Sequence, residues 1–323
     1  MLQHVVDSSL RSVLLAAADS AAAQKFVRRY GMRFGARRFV AGESAEELLD
    51  AARGANAEGF AVAAGVLGED TQTSQDAASA TRQYEDLLER FALDEIDANV
   101  ALKITHLGLN VDPALALRNL SAVASRAARL GNFMRLDMEQ SRYVDATLGA
   151  YRELRRTLPN VGCALQSYLY RSFEDLRSLL PLDPNIRLVK GAYLEPPDIA
   201  YKEKREVDEN YVRMAELALS GRGYTAIATH DRRIIEHLIG FAAQLGLPKR
   251  GRFEFQMLYG VATGYAGSVV ARGYRLRLAI PFGDSWYPYL MRRLAERPAN
   301  LVFFLKGAFG SGKTLAGTGP SQD

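Results

Sequence analysis

The chain is poor in cysteine, since its 323 residues include only one, Cys163. A single thiol excludes an internal disulfide and any metal cluster held by several thiolates, and such usage is typical of a reducing cytoplasm. Cys163 lies in the apolar stretch "VGCAL", which predicts a buried structural thiol rather than a nucleophile. The sequence also lacks any run of about 18 apolar residues, so it predicts no membrane-spanning helix.

A large excess of one charge is also missing. The formal net charge is +4, from 41 basic and 37 acidic residues, and the basic residues form no stripe of the kind that binds nucleic acids. A weakly basic face would suit an anionic membrane surface, but the charge count does not establish one. The first 31 residues lack a basic leading region and keep helical periodicity. This pattern predicts an amphipathic helix rather than a signal peptide.

A phosphate-binding motif near the end of the chain lacks its structural context. Residues 307–314, "GAFGSGKT", fit the P-loop pattern G-x-x-x-x-G-K-[ST] at every defined position. A P-loop binds phosphate at the N-terminus of a following helix. Here only nine residues follow, with two glycines and a proline among them. We therefore expect a disordered tail over residues 307–323, with P-loop nucleotide binding as the rival interpretation.

Short apolar runs alternate with longer amphipathic stretches along the chain, and 48% of the residues are hydrophobic. Eight strand-like runs separated by helix-like segments predict an α/β fold, a TIM-type (β/α)8 barrel. No linker rich in Pro, Gly or Ser interrupts the series. The sequence therefore predicts one barrel domain over residues 1–306, with a helical N-terminal part in residues 1–43. The eight runs are "GFAVAAGVLG", "NVALKITHLG", "NFMRLDME", "VGCALQSY", "IRLVKGAY", "YTAIATHD", "FEFQMLYG" and "YRLRLAIPFG".

Polar residues cluster where the apolar runs close, which is where barrel enzymes carry their chemistry. Taken singly, each has an ordinary explanation: His230 as a structural histidine, or Asp137 as the ion-pair partner of Arg135. A convergent ring of hydrogen-bonding groups on one rim favours a functional site instead. The predicted rim residues are Glu69, Lys103, Asp137, Glu139, Gln166, Arg187, Lys190, Thr229, His230, Glu254 and Gln256.

The segment "DSWYPYLMRRLAERPAN" predicts a final barrel helix with two adjacent arginines, Arg292 and Arg293, and with Tyr289 one turn earlier. Adjacent helical residues point about 100° apart. One interpretation is a partly exposed helix face. The other is a clamp for a carboxylate, since planar guanidinium groups suit a small anion. The residues alone do not decide between the two.

Taken together, the strand-end segments resemble the proline dehydrogenases, which are FAD-dependent barrel enzymes. The resemblance covers roughly residues 30 to 306, and its pieces occur in the family's order. Any one piece is weak, whereas the ordered set is specific. The matching pieces are "RRFVAGES", "LGE", "ALKIT", "RLDME", "LQSYLYR", "RLVKGAY", "ATHD", "FEFQMLYG" and "WYPYLMRRLAERPAN".

The resemblance implies a distorted barrel, of the monofunctional bacterial type, that binds FAD and oxidises L-proline to Δ1-pyrroline-5-carboxylate. It implies catalytic roles for Asp137 and Arg187, and a structural ion pair between Glu69 and Arg292. The implied substrate-binding residues are Lys103, Arg292, Arg293, Tyr289 and Ala279, with Tyr193 as a further pocket wall. The implied cofactor-binding residues are Met138, Gln166, Lys190, Gly191, Ala192, Thr229 and His230, and no metal ion is expected.

The resemblance also implies partners: a quinone that accepts the electrons, and a separate pyrroline-5-carboxylate dehydrogenase for the product. We therefore expect a cytoplasmic protein with peripheral contact at the inner face of the membrane, and no nucleic-acid partner. Two positions depart from the family pattern. Ala279 stands where most members carry tyrosine, and Gly65 replaces an aspartate. The first exchange opens space, so oxidation of 4-hydroxyproline or another secondary amine remains an alternative activity.

Overall fold

Eight parallel strands form a closed barrel, in which each strand pairs with the next and β8 pairs with β1. The computed structural model describes residues 36–68, 70–261 and 263–296, with side chains up to residue 291 in the last helix. The strands β1 to β8 are Ala61–Val66, Ala98–Leu102, Met134–Leu136, Val161–Gln166, Asn185–Val189, Tyr224–Ala228, Phe253–Leu258 and Leu276–Phe282. This closure confirms the predicted barrel, and all eight predicted strand runs contain a strand.

Helices alternate with the strands and cover the outside of the barrel. Capping residues help to set where they begin: Ser44 and Glu47 form a reciprocal capping box, and Asp112 accepts two backbone N–H groups ahead of Pro113. In chain order, α1 to α9 are Ala45–Ala57, Ser74–Leu93, Pro113–Arg129, Val144–Arg155, Ser172–Leu179, Lys204–Ser220, Arg232–Gln244, Thr263–Ala271 and Trp286–Glu296.

The strand register separates an apolar outer face from a polar interior. Side chains alternate across a strand, so Ile186 and Leu188 of β5 point out toward the helices while Arg187 points in. The inward positions level with Arg187 on the two neighbouring strands are Ala164 and Ala226. These small residues leave room for the long arginine side chain. A buried guanidinium can therefore occupy the interior.

Charged residues fill the lower part of this interior, where many barrels carry branched aliphatic side chains. Glu254 of β7 and Arg277 of β8 form an ion pair, with Nε of Arg277 2.8 Å from Oε1 of Glu254. Arg135 of β3 is fully buried and donates from Nη2 to Oδ1 of Asn185 at 2.7 Å. Burial and the nearby charge of Arg187 lower the pKa of Arg135 to about 9. The interior below the rim is thus rich in cations.

Two details of the sequence interpretation change here. Glu254 is not a rim residue, because it is the second residue of β7 and its side chain is 2% exposed inside the barrel. The alternative of an Asp137–Arg135 ion pair is also wrong, because the ion-pair partner of Asp137 is Arg187. Both errors have one cause. The end of an apolar run does not reveal how deep each polar residue sits in its strand.

The single cysteine matches its prediction. Cys163 is buried on the outward face of β4, and burial raises the pKa of its thiol to about 12. A thiol in this state is protonated at neutral pH and is a poor nucleophile. Cys163 therefore serves packing.

A second apolar cluster holds the start of the described chain against the last helix. Phe39 and Val40, after the 3-10 turn Ala36–Arg38, pack with Trp286 and Leu290 of α9. The indole Nε1 of Trp286 donates to Oε1 of Glu43 at 2.7 Å. This contact fixes α9 beside the barrel mouth.

The predicted domain bounds reach beyond the described residues. The proposed domain at 1–306, most of its helical part in 1–43 and the tail at 307–323 therefore stay predictions. The P-loop-like motif at 307–314 also lies outside the described residues.

Candidate active site

Arg187 is the central residue of the barrel mouth. Its Nε donates to Oε1 of Gln256 at 2.7 Å, and its Nη1 forms an ion pair with Oδ1 of Asp137. The Arg187 side chain is 8% exposed and its contact with Gln256 is buried, whereas the Asp137 side chain is 34% exposed. Within the part of the chain that the structure describes, the buried Nη2 has no hydrogen-bond partner. A buried donor without a partner is costly, so this nitrogen is suited to bind an acceptor on a ligand.

Asp137 is held where two strand ends meet. It follows the last residue of β3, and its backbone N–H donates to the carbonyl of Leu102 at 2.7 Å. Lys103 comes next after Leu102 and is half-buried. The ends of β2 and β3 therefore bring a cation and a carboxylate to the same side of the mouth, as predicted from the sequence.

The loops after β2, β3 and β4 are tied together by Glu139. Its carboxylate accepts from Oγ1 of Thr105 at 2.6 Å and from the backbone N–H of Thr105 at 3.2 Å. Its carbonyl accepts from Nε2 of Gln166 at 2.8 Å. Gln166 and the neighbouring Met138 are both buried. Glu139 thus lies at the rim and holds its loops together, a role that the sequence position alone does not reveal.

Thr229 and His230 lie just beyond β6, again at the C-terminal rim. Oγ1 of Thr229 accepts from the N–H of Asp231 at 3.1 Å, and Nε2 of His230 lies 3.0 Å from the backbone N–H of Leu258. A backbone N–H can only donate, so Nε2 carries a lone pair and the ring proton sits on Nδ1. His230 therefore joins the end of β6 to the end of β7 as a neutral imidazole.

The loop after β5 makes a tight approach to the loop after β4. Gly191 has φ +114°, and a Cβ there would lie 2.2 Å from the ring of Tyr168. Only glycine fits this position without displacing the ring. Ala192 is exposed and Tyr193 is half-buried. The glycine therefore sets the path of the loop for which the family resemblance implies cofactor binding.

Lys190 is surrounded by acidic residues that the sequence did not point to. Its ammonium lies 2.5 Å from Oδ1 of Asp208, on α6, and 3.5 Å from Oδ2 of Asp231, the N-cap of α7. The Lys190 charge and two backbone hydrogen bonds lower the pKa of Asp231 against the effect of burial. These ion pairs fix the start of the loop against two helices. Asp231 was detectable as a capping residue, whereas Asp208 lies on an ordinary helix face and carried no signal.

Ala279 faces the barrel interior, two residues beyond Arg277 on the same side of β8. Its register partners are Ala63 on β1 and Leu258 on β7. Gly65 follows Ala63 on the inward face of β1. Small side chains therefore line the β1 side of Ala279, and Leu258 lines the β7 side. Tyr289 on α9 is half-buried against the cluster around Trp286.

Three of the expected site residues cannot be placed. Glu69 lies outside the described residues, and the backbones of Arg292 and Arg293 belong to α9, but their side chains are not described. The Glu69–Arg292 ion pair and the two-arginine clamp therefore stay predictions. Over residues 36–68, 70–261 and 263–296, no group of His, Cys, Asp or Glu is arranged to hold a metal ion. Over the same residues, no helix has the length and apolar character that crossing a membrane requires.

The closed parallel barrel and its polar rim define the class: a (β/α)8-barrel enzyme with its site at the C-terminal ends of the strands. The chain belongs to the proline dehydrogenase family, because the family model described as "Proline dehydrogenase" matches residues 48–306. It is an enzyme of this type.

Curated relatives agree over nearly their whole length. The chain is 37% identical over 298 residues to Proline dehydrogenase 1 of Bacillus subtilis subsp. natto, an alignment that covers 92% of this chain and 98% of the relative. It is 38% identical over 308 residues to Proline dehydrogenase of Deinococcus radiodurans, covering 94% and 99%.

A solved structure shares the fold. The crystal structure of proline utilization A from Bdellovibrio bacteriovorus, inactivated by N-propargylglycine, superimposes with a TM-score of 0.78 at 29% identity. The match covers 88% of this chain and 35% of that one. This chain thus corresponds to about a third of that protein's length.

Proposed function

We propose that the chain oxidises L-proline to Δ1-pyrroline-5-carboxylate with FAD as its cofactor. The observation that carries this proposal is the buried Arg187 at the barrel mouth, held by Asp137 and Gln256 with Nη2 unpartnered among the described residues. An arginine fixed in this way presents a positive charge and a free donor to a group bound above it. Such an arrangement fits a cofactor that gains negative charge on reduction.

The proposed substrate contacts are cationic. Lys103, at the end of β2, and Arg292 and Arg293, on α9, would hold the proline carboxylate. Three cations on one small anion fix the orientation of the ring, and orientation accounts for much of the barrier in such reactions. Tyr289 and Ala279 would form the pocket wall. Asp137 would lie beside the reacting ring, and Glu69 would pair with Arg292.

The proposed cofactor site uses the ends of β3 to β6. Met138, Gln166, the loop from Lys190 through Gly191 to Ala192, and Thr229 with His230 would contact FAD. When bound, FAD supplies N5 as the acceptor of the hydride from proline C5. The contribution of the protein is to bind, orient and provide charge. The nitrogen of proline must be unprotonated to expel a hydride, which predicts a fall in rate at low pH.

A hydroxylated substrate is the alternative, and one observation favours it. On the β1 side Ala279 is flanked by Ala63 and faces inward near Gly65, so the mouth carries little side-chain volume toward β1. A 4-hydroxyl group would find room there that a tyrosine would fill. Placing tyrosine at this position by Ala279→Tyr should therefore select against 4-hydroxyproline more than against proline.

The proposed electron acceptor is a quinone, and the proposed consumer of the product is a separate pyrroline-5-carboxylate dehydrogenase. An apolar quinone resides in the membrane, so the proposal includes peripheral contact at its inner face from the cytoplasm. Liposome flotation with and without added quinone tests this contact. If the protein floats in neither condition, the membrane contact is contradicted, and a water-soluble electron acceptor takes the place of the quinone in the proposal.

The visible spectrum of the purified protein tests the proposed chemistry. Bound flavin should be bleached anaerobically by proline, and proline should act at lower concentration than trans-4-hydroxyproline. Bleaching by the hydroxylated substrate alone would assign the chain to the alternative activity. A protein that binds no flavin after reconstitution would contradict the proposal.

A further inference from the structure

A chain of buried hydrogen bonds runs from Arg187 down into the barrel. Oε1 of Gln256 accepts from Nε of Arg187 at 2.7 Å, and Nε2 of Gln256 donates to Oε1 of Glu254 at 2.5 Å. Gln256 and Glu254 are both inward-facing residues of β7, two positions apart. Both are buried. None of the proposed contacts to substrate or cofactor involves either residue.

Two arginines hold the Glu254 carboxylate at the lower end of this chain. Arg277 donates to both of its oxygens, from Nε at 2.8 Å and from Nη2 at 3.2 Å, and Nε of Arg275 lies 3.3 Å away. Nη1 of Arg277 donates to the carbonyl of Val62 on β1 at 2.7 Å. The carboxylate is therefore anchored to two further strands through its arginine partners. A bidentate pair of this kind also fixes the plane of the carboxylate.

The anchored carboxylate determines which way the Gln256 amide faces. An ionised carboxylate can only accept hydrogen bonds, so the amide must turn its NH2 group toward Glu254. Its oxygen must then face Arg187. If the amide were reversed, its oxygen would face the Glu254 carboxylate, and two acceptors would meet. Its NH2 group would face Nε of Arg187, and two donors would meet. Glu254 thus orients the Gln256 amide so that its oxygen accepts the hydrogen bond from Nε of Arg187.

Holding Nε restricts the whole guanidinium, because the group is planar and rigid. With Nε on Gln256 and Nη1 on Asp137, the direction of Nη2 is determined. This is the nitrogen that has no partner among the described residues. The interior hydrogen bonds therefore aim the donor that the proposed cofactor site requires.

We propose that Gln256, Glu254 and Arg277 form a positioning relay that fixes the orientation of Arg187 for hydride transfer. The inference rests on the proposed function, since it assigns Arg187 to the flavin. The relay residues are not among the proposed contacts to substrate or cofactor. Their effect reaches the reaction only through the position of one positive charge.

The test is Gln256→Met, which removes the amide but leaves Glu254 with its arginine partners and buries no unpaired charge. We expect the variant to fold and to bind flavin. Its kcat with proline should fall on the order of 10- to 100-fold, the usual effect of a misplaced reacting group. The KM for proline should stay within about 2-fold, because the carboxylate contacts are separate. The midpoint potential of the bound flavin should become more negative.

A matched pair of variants tests the anchor. Glu254→Gln and Glu174→Gln each convert an acid to its amide, and Glu174 pairs with Arg177 on α5, where the glutamate side chain is 66% exposed. Only Glu254→Gln should lower the flavin potential and kcat, while Glu174→Gln should keep both near wild type. If Gln256→Met does not fold, these two variants still test whether the relay positions Arg187.

Two failures are distinguishable. If wild-type protein binds no flavin, or if proline does not bleach it, the proposed function is contradicted. If the wild type is bleached, but Gln256→Met and Glu254→Gln keep the wild-type kcat and potential and lose only thermal stability, then the relay is a structural feature and the inference is overturned.

Discussion

Arg187 shows how the chemistry of one side chain depends on its partners. Its guanidinium has three nitrogens, and two of them are engaged by Gln256 of β7 and by Asp137 just after β3. Lysine would keep the charge but not the planar fork, so it could not serve Asp137 and Gln256 together. The identity of the residue, and not only its charge, is thus required at this position.

We expect Arg187→Lys to lower kcat about 100- to 1,000-fold, the range seen when a preorganised donor is lost. Steady-state kinetics with proline and a soluble acceptor measure this change. The matched control is Arg177→Lys at an exposed pair with Glu174 on α5, where the arginine side chain is 60% exposed and the expected change is negligible. If the two variants were equally active, the proposed role of Arg187 in the reaction would be contradicted.

Glu254 allows a prediction about pH. Burial alone would raise the pKa of this carboxyl, but the charge and hydrogen bonds of Arg277 bring it down to about 2 from an ordinary value of 4.5. In the unfolded chain the group takes up a proton near pH 4.5, whereas the folded protein resists protonation until about pH 2. Its contribution to stability is therefore complete above pH 4.5 and is lost as the pH falls toward 2.

Glu254→Gln should accordingly flatten the acid side of the stability curve. Between pH 4.5 and 2 the free energy of unfolding should fall less steeply than in wild type, by about 1.4 kcal/mol per pH unit. Urea unfolding at several pH values measures the slopes. Glu174→Gln, the same exchange at a side chain that is 66% exposed, should leave the slope unchanged. Parallel curves for Glu254→Gln and wild type would contradict the assignment.

At the scale of elements, the loops that follow the strands determine the shape of the barrel mouth. The loop after β5 begins with Lys190, held by helices α6 and α7, and turns at Gly191 against the ring of Tyr168. The loops after β2, β3 and β4 are joined through Glu139. The loops after β2 and β3 contain only the short 3-10 turns Thr105–Leu107 and Ser141–Tyr143, so their positions depend on contacts with neighbours.

Gly191→Ala should displace the loop after β5, because the added Cβ would meet the Tyr168 ring at 2.2 Å and the backbone has φ +114°. We expect weaker flavin retention and a loss of about 1–3 kcal/mol in stability. Flavin content after dialysis and a thermal melt measure the two effects. Gly149→Ala is the control: the site lies in the middle of α4 with nothing within 4 Å of an added Cβ, and the exchange should stabilise slightly. Full flavin retention in Gly191→Ala would contradict the predicted role of this loop.

At the scale of the whole molecule, barrel closure creates both the outer core and the inner site. The outward strand faces and the helices form one apolar cluster, while the inward faces carry the arginine and carboxylate network. The apolar exterior supplies stability by burial, so the interior is free to carry polar groups. The family match from 48 to 306 includes all eight strands of the barrel.

Removal of residues 310–323 should leave the flavin spectrum and proline oxidation unchanged, because the predicted site residues all lie upstream. Comparison of the truncated and full-length proteins by spectrum and steady-state kinetics checks this. Binding of ATP, measured by calorimetry, should be absent from both. Nucleotide binding that disappears on truncation would instead support the motif at 307–314.

Much of the site could be predicted from strand ends alone. Lys103, Asp137, Thr229 and His230 each directly follow a strand or lie within two residues of its end, as the apolar runs indicated. Asp208 and Arg277 were missed. A helix face or the middle of a strand carries many charged residues, and their partners are distant in sequence, so no local pattern separates them from ordinary surface charges.

The sequence by itself determined the order of strands and helices, the eightfold repeat and the side of the barrel on which the polar rim lies. These features follow from local hydrophobic periodicity and from the rule that parallel strands end on one side. Only the tertiary structure decided which rim and interior groups meet. Arg187 and Gln256 are 69 residues apart, and Arg277 and Val62 are 215 apart. Such pairs form only when barrel closure sets the register of every strand, because the register depends on all eight strands at once.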